Sequence, residues 1–365
     1  MDPRYIVKDA EALDTPALLL YEEQIKHNIA QMAKLVGGVG RLRPHVKTHK
    51  CREVLALQRA AGIDRFKCAT IKEAEMVAEG GAAELLLAYP ITGPLARRAA
   101  GLKKRYPRLR LDVLADNPLH VRTLAAACRA EGVELGVLVD VNPGLDRTGT
   151  AGGEVEKLAR MLGDTPGLRF AGLHTYGSRP AQGSYEERRP VFREAIQTAV
   201  DARRALERTG IRVPRLVAGG SIDCFTAAEM DGVDELSPGT FVFWDKGYED
   251  IFPGHFRYAA LVLGRVMSRP TSTVFAVDAG YKSVSADPPI PHCQVLSVPD
   301  STVIGRWEEH LQVRLAEPSP TPEVGALVYI APVHVCSSIN LWDEAWVVNG
   351  RGEVTGRWAI AARGH

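Results

Sequence analysis

The chain has 365 residues, with 45 Lys and Arg against 44 Asp and Glu for a formal net charge of +1, and no basic block of the kind that tracks nucleic acid or anionic lipid. This balance argues for a small-molecule function, and the length suits a large barrel plus a smaller second domain. Charges at Asp2, Arg4, Lys8, Asp9 and Glu11 rule out the apolar core of a signal peptide, and no later run approaches a membrane span, so a soluble, cytoplasmic protein is expected. The six cysteines are scattered without paired spacing, which predicts free, mostly buried thiols rather than a disulfide framework.

In chain order, residues 15–20 read as a strand and 22–36 as a helix. Short apolar runs then alternate with amphipathic stretches, the pattern of β/α units around a parallel sheet. Candidate strands lie at 41–47, 65–69, 84–89, 110–114, 134–140, 169–174, 215–219 and 235–243, and eight strands close a barrel. Helical spacing covers 51–62, 71–80, 117–131 and 184–209. After Tyr248 the pattern changes to β-branched, alternating runs at 259–267, 273–278, 311–315, 326–331 and 344–348, with Pro- and Gly-rich turns such as 316–325. The predicted fold is α/β: a (β/α)8 TIM-type barrel over 21–248, with a mostly antiparallel β domain made of 1–20 plus 249–365.

The segment Arg43-Pro44-His45-Val46-Lys47-Thr48-His49-Lys50 carries the strongest chemical signal. If it is a strand throughout, Arg43, His45, Lys47 and His49 share one face. Turned inward, that face needs a buried anion or cofactor; turned outward, it is an edge strand with solvated charges. Lys47 lies near the strand's C-terminal end, where barrel active sites sit. Crowding by cations and partial burial would lower its pKa and suit imine chemistry.

Val217-Ala218-Gly219-Gly220-Ser221 ends a strand with two glycines and a hydroxyl, and Gly239–Thr240 follows the next strand. These are the loops after strands 7 and 8, where barrels often bind phosphate, although a Gly-Gly pair alone also serves as a plain tight turn. Arg147 follows strand 5, as an anion or substrate contact or as a solvated loop arginine. His174 and Tyr176 share a face at the end of strand 6, and His174 also reads as a core histidine with satisfied hydrogen bonds. His334-Val335-Cys336 follows an apolar run; in extended conformation its imidazole and thiolate project from one face, and both are good zinc ligands. Such a pair alone is a weak motif.

The run RPHVKTHK, preceded by DTPALLLY, resembles the signature of the D-threonine aldolase and D-serine dehydratase family, which has the alanine racemase fold (fold type III of the pyridoxal 5'-phosphate, PLP, enzymes). The likeness extends in order through FKCATIKEAE (66–75), HTY (174–176), VAGGS (217–221), SPGT (237–240), DAGYKS (278–283), EEH (308–310) and HVC (334–336). It implies that Lys47 carries PLP and that His45, Arg147, Tyr176, Gly219, Gly220, Ser221, Gly239 and Thr240 surround the cofactor. It further implies that His334 and Cys336 hold a divalent metal (Zn, Mn or Mg), that the first strand pairs with the C-terminal β domain, and that the protein is a homodimer. The implied activity is retro-aldol cleavage of a D-β-hydroxy amino acid to glycine and an aldehyde. Dehydration of D-serine or 3-hydroxy-D-aspartate to a 2-oxo acid and ammonia is the close alternative, with a racemase or a non-catalytic PLP carrier behind. Aldolases of the group carry a histidine just beyond the sixth-strand tyrosine. Here Gly177–Gly183 contains none, so His174, His49 or a metal-bound hydroxide would have to serve as base.

Overall fold

The computed structural model describes residues 1–177, 182–316 and 322–365. The chain begins with strand β1 (Ala17–Tyr21) and helix α1 (Glu22–Leu35). Helix α2 (Arg52–Ala60) leads into alternating strands and helices: β2 (Arg65–Cys68), α3 (Ile71–Glu79), β3 (Glu84–Pro90), α4 (Gly93–Arg105), β4 (Arg110–Ala115), α5 (Pro118–Glu131) and β5 (Leu135–Asp140). The alternation continues through α6 (Gly153–Gly163), β6 (Leu168–His174), α7 (Tyr185–Arg208), β7 (Leu216–Ala218), α8 (Cys224–Ala228) and β8 (Glu235–Leu236). Local sequence sets the boundaries. In α5, for example, the Asn117 side chain accepts the Leu119 N–H, Pro118 occupies the first turn, and Gly132 stops the helix at φ 67°, each residue in the role its chemistry favours.

Strands β2 to β8 form a seven-stranded parallel sheet in sequence order. Residues 42–45 supply the eighth position: Leu42 bridges Leu236 and His45 bridges Lys67, both parallel. Backbone bonds run from Arg43 N–H to Leu236 O (2.7 Å), from His45 N–H to Pro238 O (2.9 Å) and from Lys67 N–H to Pro44 O (2.8 Å). Two predicted strands prove shorter than expected. The 41–47 segment turns into a 3-10 helix at Val46–Thr48, because the His45 Nδ1 captures the Lys47 N–H (3.3 Å) that an extended chain would offer sideways. The 235–243 segment keeps only Glu235–Leu236 as strand and becomes a 3-10 turn at Thr240–Val242.

Inside the barrel, side chains stack in layers. At the N-terminal ends of the strands, Arg43 is fully buried; it pairs with Glu235, reaches Glu84 at 2.8 Å and donates to Phe66 O at 3.3 Å. Arg215 pairs with fully buried Asp112. Gly136 has to be glycine, since a Cβ would lie 1.8 Å from Asp112 Oδ1. Above this charged layer sit Leu86, Leu114, Leu138, Ala171 and Val217, all fully buried.

A second unit comprises Met1–Gln31, Thr48–Val54 and Thr240–Gly364; the barrel unit comprises Met32–Lys47, Leu55–Gly239 and His365. The second unit adds α9 (Lys246–Ile251), β9 (Ala260–Ser268), β10 (Val274–Val277), β11 (Cys293–Val295), β12 (Ser301–Arg306), β13 (Leu311–Leu315), β14 (Leu327–Pro332), α10 (Val335–Ile339), β15 (Glu344–Val348) and β16 (Val354–Ala359). Its sheet runs β12-β13-β10-β9-β1-β15-β16, with β14 joining β9 and β11 joining β14. The β1–β15 pair is parallel and the other pairs are antiparallel. One face packs Leu19, Tyr21, Leu261, Leu263, Ala331 and Val348 against Tyr5 and Val7. Among the described residues no helix is long and apolar enough to cross a membrane.

The Arg43 layer carries the barrel's closure, and removing one member strands its partners in a dry interior. Arg43→Met is expected to lower the free energy of unfolding by about 3–5 kcal/mol. The double variant Arg43→Met/Glu235→Gln should recover part of the loss in the same urea titration.

Candidate active site

Lys47 stands at the C-terminal mouth of the barrel, in the 3-10 turn just past the closing segment, with an exposed side chain. The turn breaks the expected alternation, so Arg43 and His45 keep strand geometry while Lys47 and His49 do not. His49 is fully buried in the other unit, where its Nδ1 takes the Cys51 N–H at 3.1 Å.

A second lysine, Lys67 on β2, is only 3% exposed. Its Nζ lies 2.9 Å from His174 Nε2, and His174 Nδ1 lies 2.7 Å from Asp140 Oδ1. Asp140 Oδ2 in turn accepts the Thr148 hydroxyl at 2.8 Å. Burial, followed by the Lys67 charge, lowers the His174 pKa. The imidazole is therefore neutral: it donates through Nδ1 to Asp140 and accepts through Nε2 from Lys67. Burial, reinforced by the Lys47 charge and opposed by Asp140 and Asp223, pulls Lys67 down to about 7. His174 is thus a satisfied core histidine and also the middle of a polar chain. Sequence reasoning missed Lys67; the available signal was a lysine flanked by Phe66 and Cys68 on a strand with no solvent-facing side.

Arg147, in the loop after β5, stacks its guanidinium 4.8 Å from the centroid of the Tyr176 ring. The loop is held by Asn142 Oδ1, which accepts Gly144 N–H (2.9 Å) and Asp146 N–H (3.2 Å). Arg147, Tyr176, His174, Asp140 and Thr148 line one small cavity, so the strand-5 and strand-6 candidates do converge. The histidine-free stretch after Tyr176 falls partly outside the described residues, at 178–181.

The turn after β7 is preformed. Gly219 has φ +81°, and a Cβ there would lie 3.0 Å from Cys224 Cα. Gly220 N–H donates to Asp223 Oδ1 at 2.6 Å, and Gly239 N–H donates to the Ser221 hydroxyl at 3.0 Å. The loops after β7 and β8 are therefore stitched together through Ser221. Thr240 is the first residue past the barrel unit.

In the other unit, His334 is not in a strand: it caps α10, and Cys336 lies in that helix's first turn. A helical turn, rather than the expected extended run, brings the pair together. The Val335 N–H donates to buried Asp245 Oδ2 at 3.1 Å, and His334 Nδ1 bonds Asp287, whose Oδ1 also accepts Ser337 Oγ at 2.7 Å. Cys336 and then Asp287 raise the His334 pKa to about 9, against burial. The Cys336 sulfur lies 3.1 Å from Thr48 Oγ1 and 3.4 Å from Thr240 Oγ1. With Nδ1 held by a carboxylate, the imidazole presents Nε2, the arrangement in which a histidine ligates a metal. No cluster of three His, Cys, Asp or Glu ligands occurs among the described residues. Sequence reasoning missed Asp287 and Asp245, which lie 47 and 90 residues from their hydrogen-bond partners. The remaining five cysteines are free and buried, as expected, and Cys336 is half-buried.

Residues 21–246 match the family model for the alanine racemase N-terminal domain, and residues 259–348 match a model for a serine dehydratase domain. A D-threonine aldolase from Arthrobacter sp is 31% identical over 360 residues, covering 96% of this chain and 93% of that one. The crystal structure of D-threonine aldolase from Filomicrobium marinum superposes with a TM-score of 0.90 at 28% identity, over 99% of both chains. D-threo-3-hydroxyaspartate dehydratase from Delftia sp. HT23 gives a TM-score of 0.80 at 26% identity, over 97% of this chain and 98% of that one. Two matched domains in succession and likeness from end to end place the chain in the D-threonine aldolase and D-serine dehydratase family, PLP-dependent lyases with the alanine racemase fold.

Proposed function

We propose that the protein is a PLP- and divalent-metal-dependent aldolase that cleaves a D-β-hydroxy amino acid to glycine and an aldehyde, working as a cytoplasmic homodimer. The observation that carries the choice of reaction is the likeness to D-threonine aldolase over 99% of both chains at a TM-score of 0.90, against 0.80–0.82 for D-threo-3-hydroxyaspartate dehydratase.

The barrel residues fit PLP. Lys47 offers an accessible amine at the mouth. Ser221 Oγ and Gly239 N–H bond each other now and can turn to a phosphate, and Gly219 allows a turn that a side chain would block. Arg147 and Tyr176 present a cation and an aromatic face beside His174. Bound at Lys47, PLP supplies the electron sink for the carbon–carbon cleavage. His174, neutral and engaged at both nitrogens, does not act as a free base. The second unit fits a metal with open positions: one imidazole and one thiolate are a borderline-soft pair suited to zinc, oriented by Asp287. A divalent ion there supplies Lewis acidity toward the substrate's β-hydroxyl.

Cys336 favours the second reading, dehydration of D-serine or 3-hydroxy-D-aspartate, since a His-x-Cys pair resembles that of the D-serine dehydratases. The same lysine and metal pair would serve it, with Lys47 taking the α-proton. Product analysis decides. D-threonine is expected to give glycine and acetaldehyde; 2-oxo acid and ammonia from a D-β-hydroxy amino acid would replace the aldolase with the dehydratase. Chelation should abolish either lyase, whereas a racemase would keep its activity.

Lys47→Ala is expected to lose the visible absorption of lysine-bound PLP together with all turnover, read by spectrophotometry on the purified variant. Asp287→Asn should weaken zinc binding by about 10–100-fold, measured by competition with a chromogenic chelator, while circular dichroism stays unchanged.

A further inference from the structure

Lys67 has no part in the reaction outlined above, yet it is a buried amine within the same barrel interior. We propose that Lys67 is a second functional lysine: a proton acceptor that, tied to His174 and Asp140, balances the charge of the anion bound at Lys47. The inference rests on the assignment of PLP to Lys47.

The placement follows from register. His45 and Lys67 are level across the barrel's closing bridge, with Lys67 N–H on Pro44 O, and Lys47 comes two residues beyond His45, toward the mouth. The charged and titratable groups facing Lys67 come from every neighbouring segment: His45 and Lys47 from the closing segment, Asp140 from β5, Arg147 from the following loop, His174 from β6 and Asp223 from the turn after β7. With His174 neutral, the Lys47 and Arg147 charges offset those of Asp140 and Asp223. Burial first, and the Lys47 charge after it, make the Lys67 amine hold its proton weakly, near 7, and a charged Lys67 would add one positive charge to this interior. A phosphate-bearing cofactor reverses the balance, and the Nζ lone pair then takes a proton from solvent. No other bond has to change, because both the amine and the ammonium donate N–H to His174 Nε2. Cofactor retention thereby becomes linked to pH: affinity falls as pH rises through the raised Lys67 pKa of the loaded protein.

The test is proton uptake when the cofactor-free chain is titrated with PLP, by calorimetry in buffers of different ionisation enthalpy at pH 6, 7 and 8. Lys67→Gln keeps an N–H donor for His174 but cannot take a proton. Wild type should exceed this variant by about half a proton at pH 7, rising toward about one at pH 8, as follows for a group near 7 in the empty site. Lys67→Met should match Lys67→Gln in proton count, and a lower melting temperature would be its only added effect. Equal uptake by wild type and Lys67→Gln at all three pH values would overturn the inference while leaving PLP on Lys47. If PLP gave the wild type neither heat nor imine absorption, the cofactor assignment itself would fall, and the inference with it.

Discussion

The buried guanidinium of Arg43 holds the barrel closed. It belongs to the segment that completes the parallel sheet, and its partners Glu235 and Glu84 begin the eighth and third strands. A charge removed from water is stable only if its geometry is nearly complete, so this layer tolerates one register for residues 42–45. Fixing Arg43 fixes His45, whose ring captures the Lys47 N–H and starts the turn. The exposed amine at the mouth is therefore placed by an ion pair at the opposite end of the barrel, which is where conservation of a barrel's stability and its chemistry normally divide.

The barrel interior shows why a net charge near zero says little about local fields. Its lower layer is an ion-pair plug, its middle layer is aliphatic, and its upper layer is polar again with Lys67, His174 and Asp140. Aliphatic side chains between the charged layers keep the local dielectric low. Burial there lowers the Lys67 pKa, and the nearby Lys47 charge and two carboxylates act on it with little screening.

Sequence pattern made the fold legible because β/α alternation is a long-range rhythm in which each element supports the next reading. It put Lys47, the glycine turns, Arg147, Tyr176 and His174 at or just past strand ends, and the structure has them there. It failed where a local contact overrides period. Val46–Thr48 leaves the strand for the sake of one histidine bond, and His334–Cys336 becomes the start of a helix because Asp245 caps the Val335 N–H. The partners of Lys67 and Asp287 were illegible for another reason. Each lies far away in sequence, His174 107 positions on and His334 47 positions on. Single-sequence patterns carry no trace of such pairings.

The two candidate reactions ask the same protein for different proton movements. Aldol cleavage breaks the Cα–Cβ bond once the β-hydroxyl loses its proton, and the α-proton stays in place. Dehydration must remove the α-proton and expel the β-hydroxyl. Both need an electron sink and a Lewis acid, so a lysine-bound cofactor and a metal would serve either reaction. The Thr48 and Thr240 hydroxyls lie 3.1 and 3.4 Å from the Cys336 sulfur. If Cys336 held a metal as thiolate, hydrogen bonds donated to its sulfur would withdraw electron density and make that metal the stronger Lewis acid. A metal held there would acidify a hydroxyl more strongly, so a Cys336 ligand would be as compatible with the aldolase as with the dehydratase.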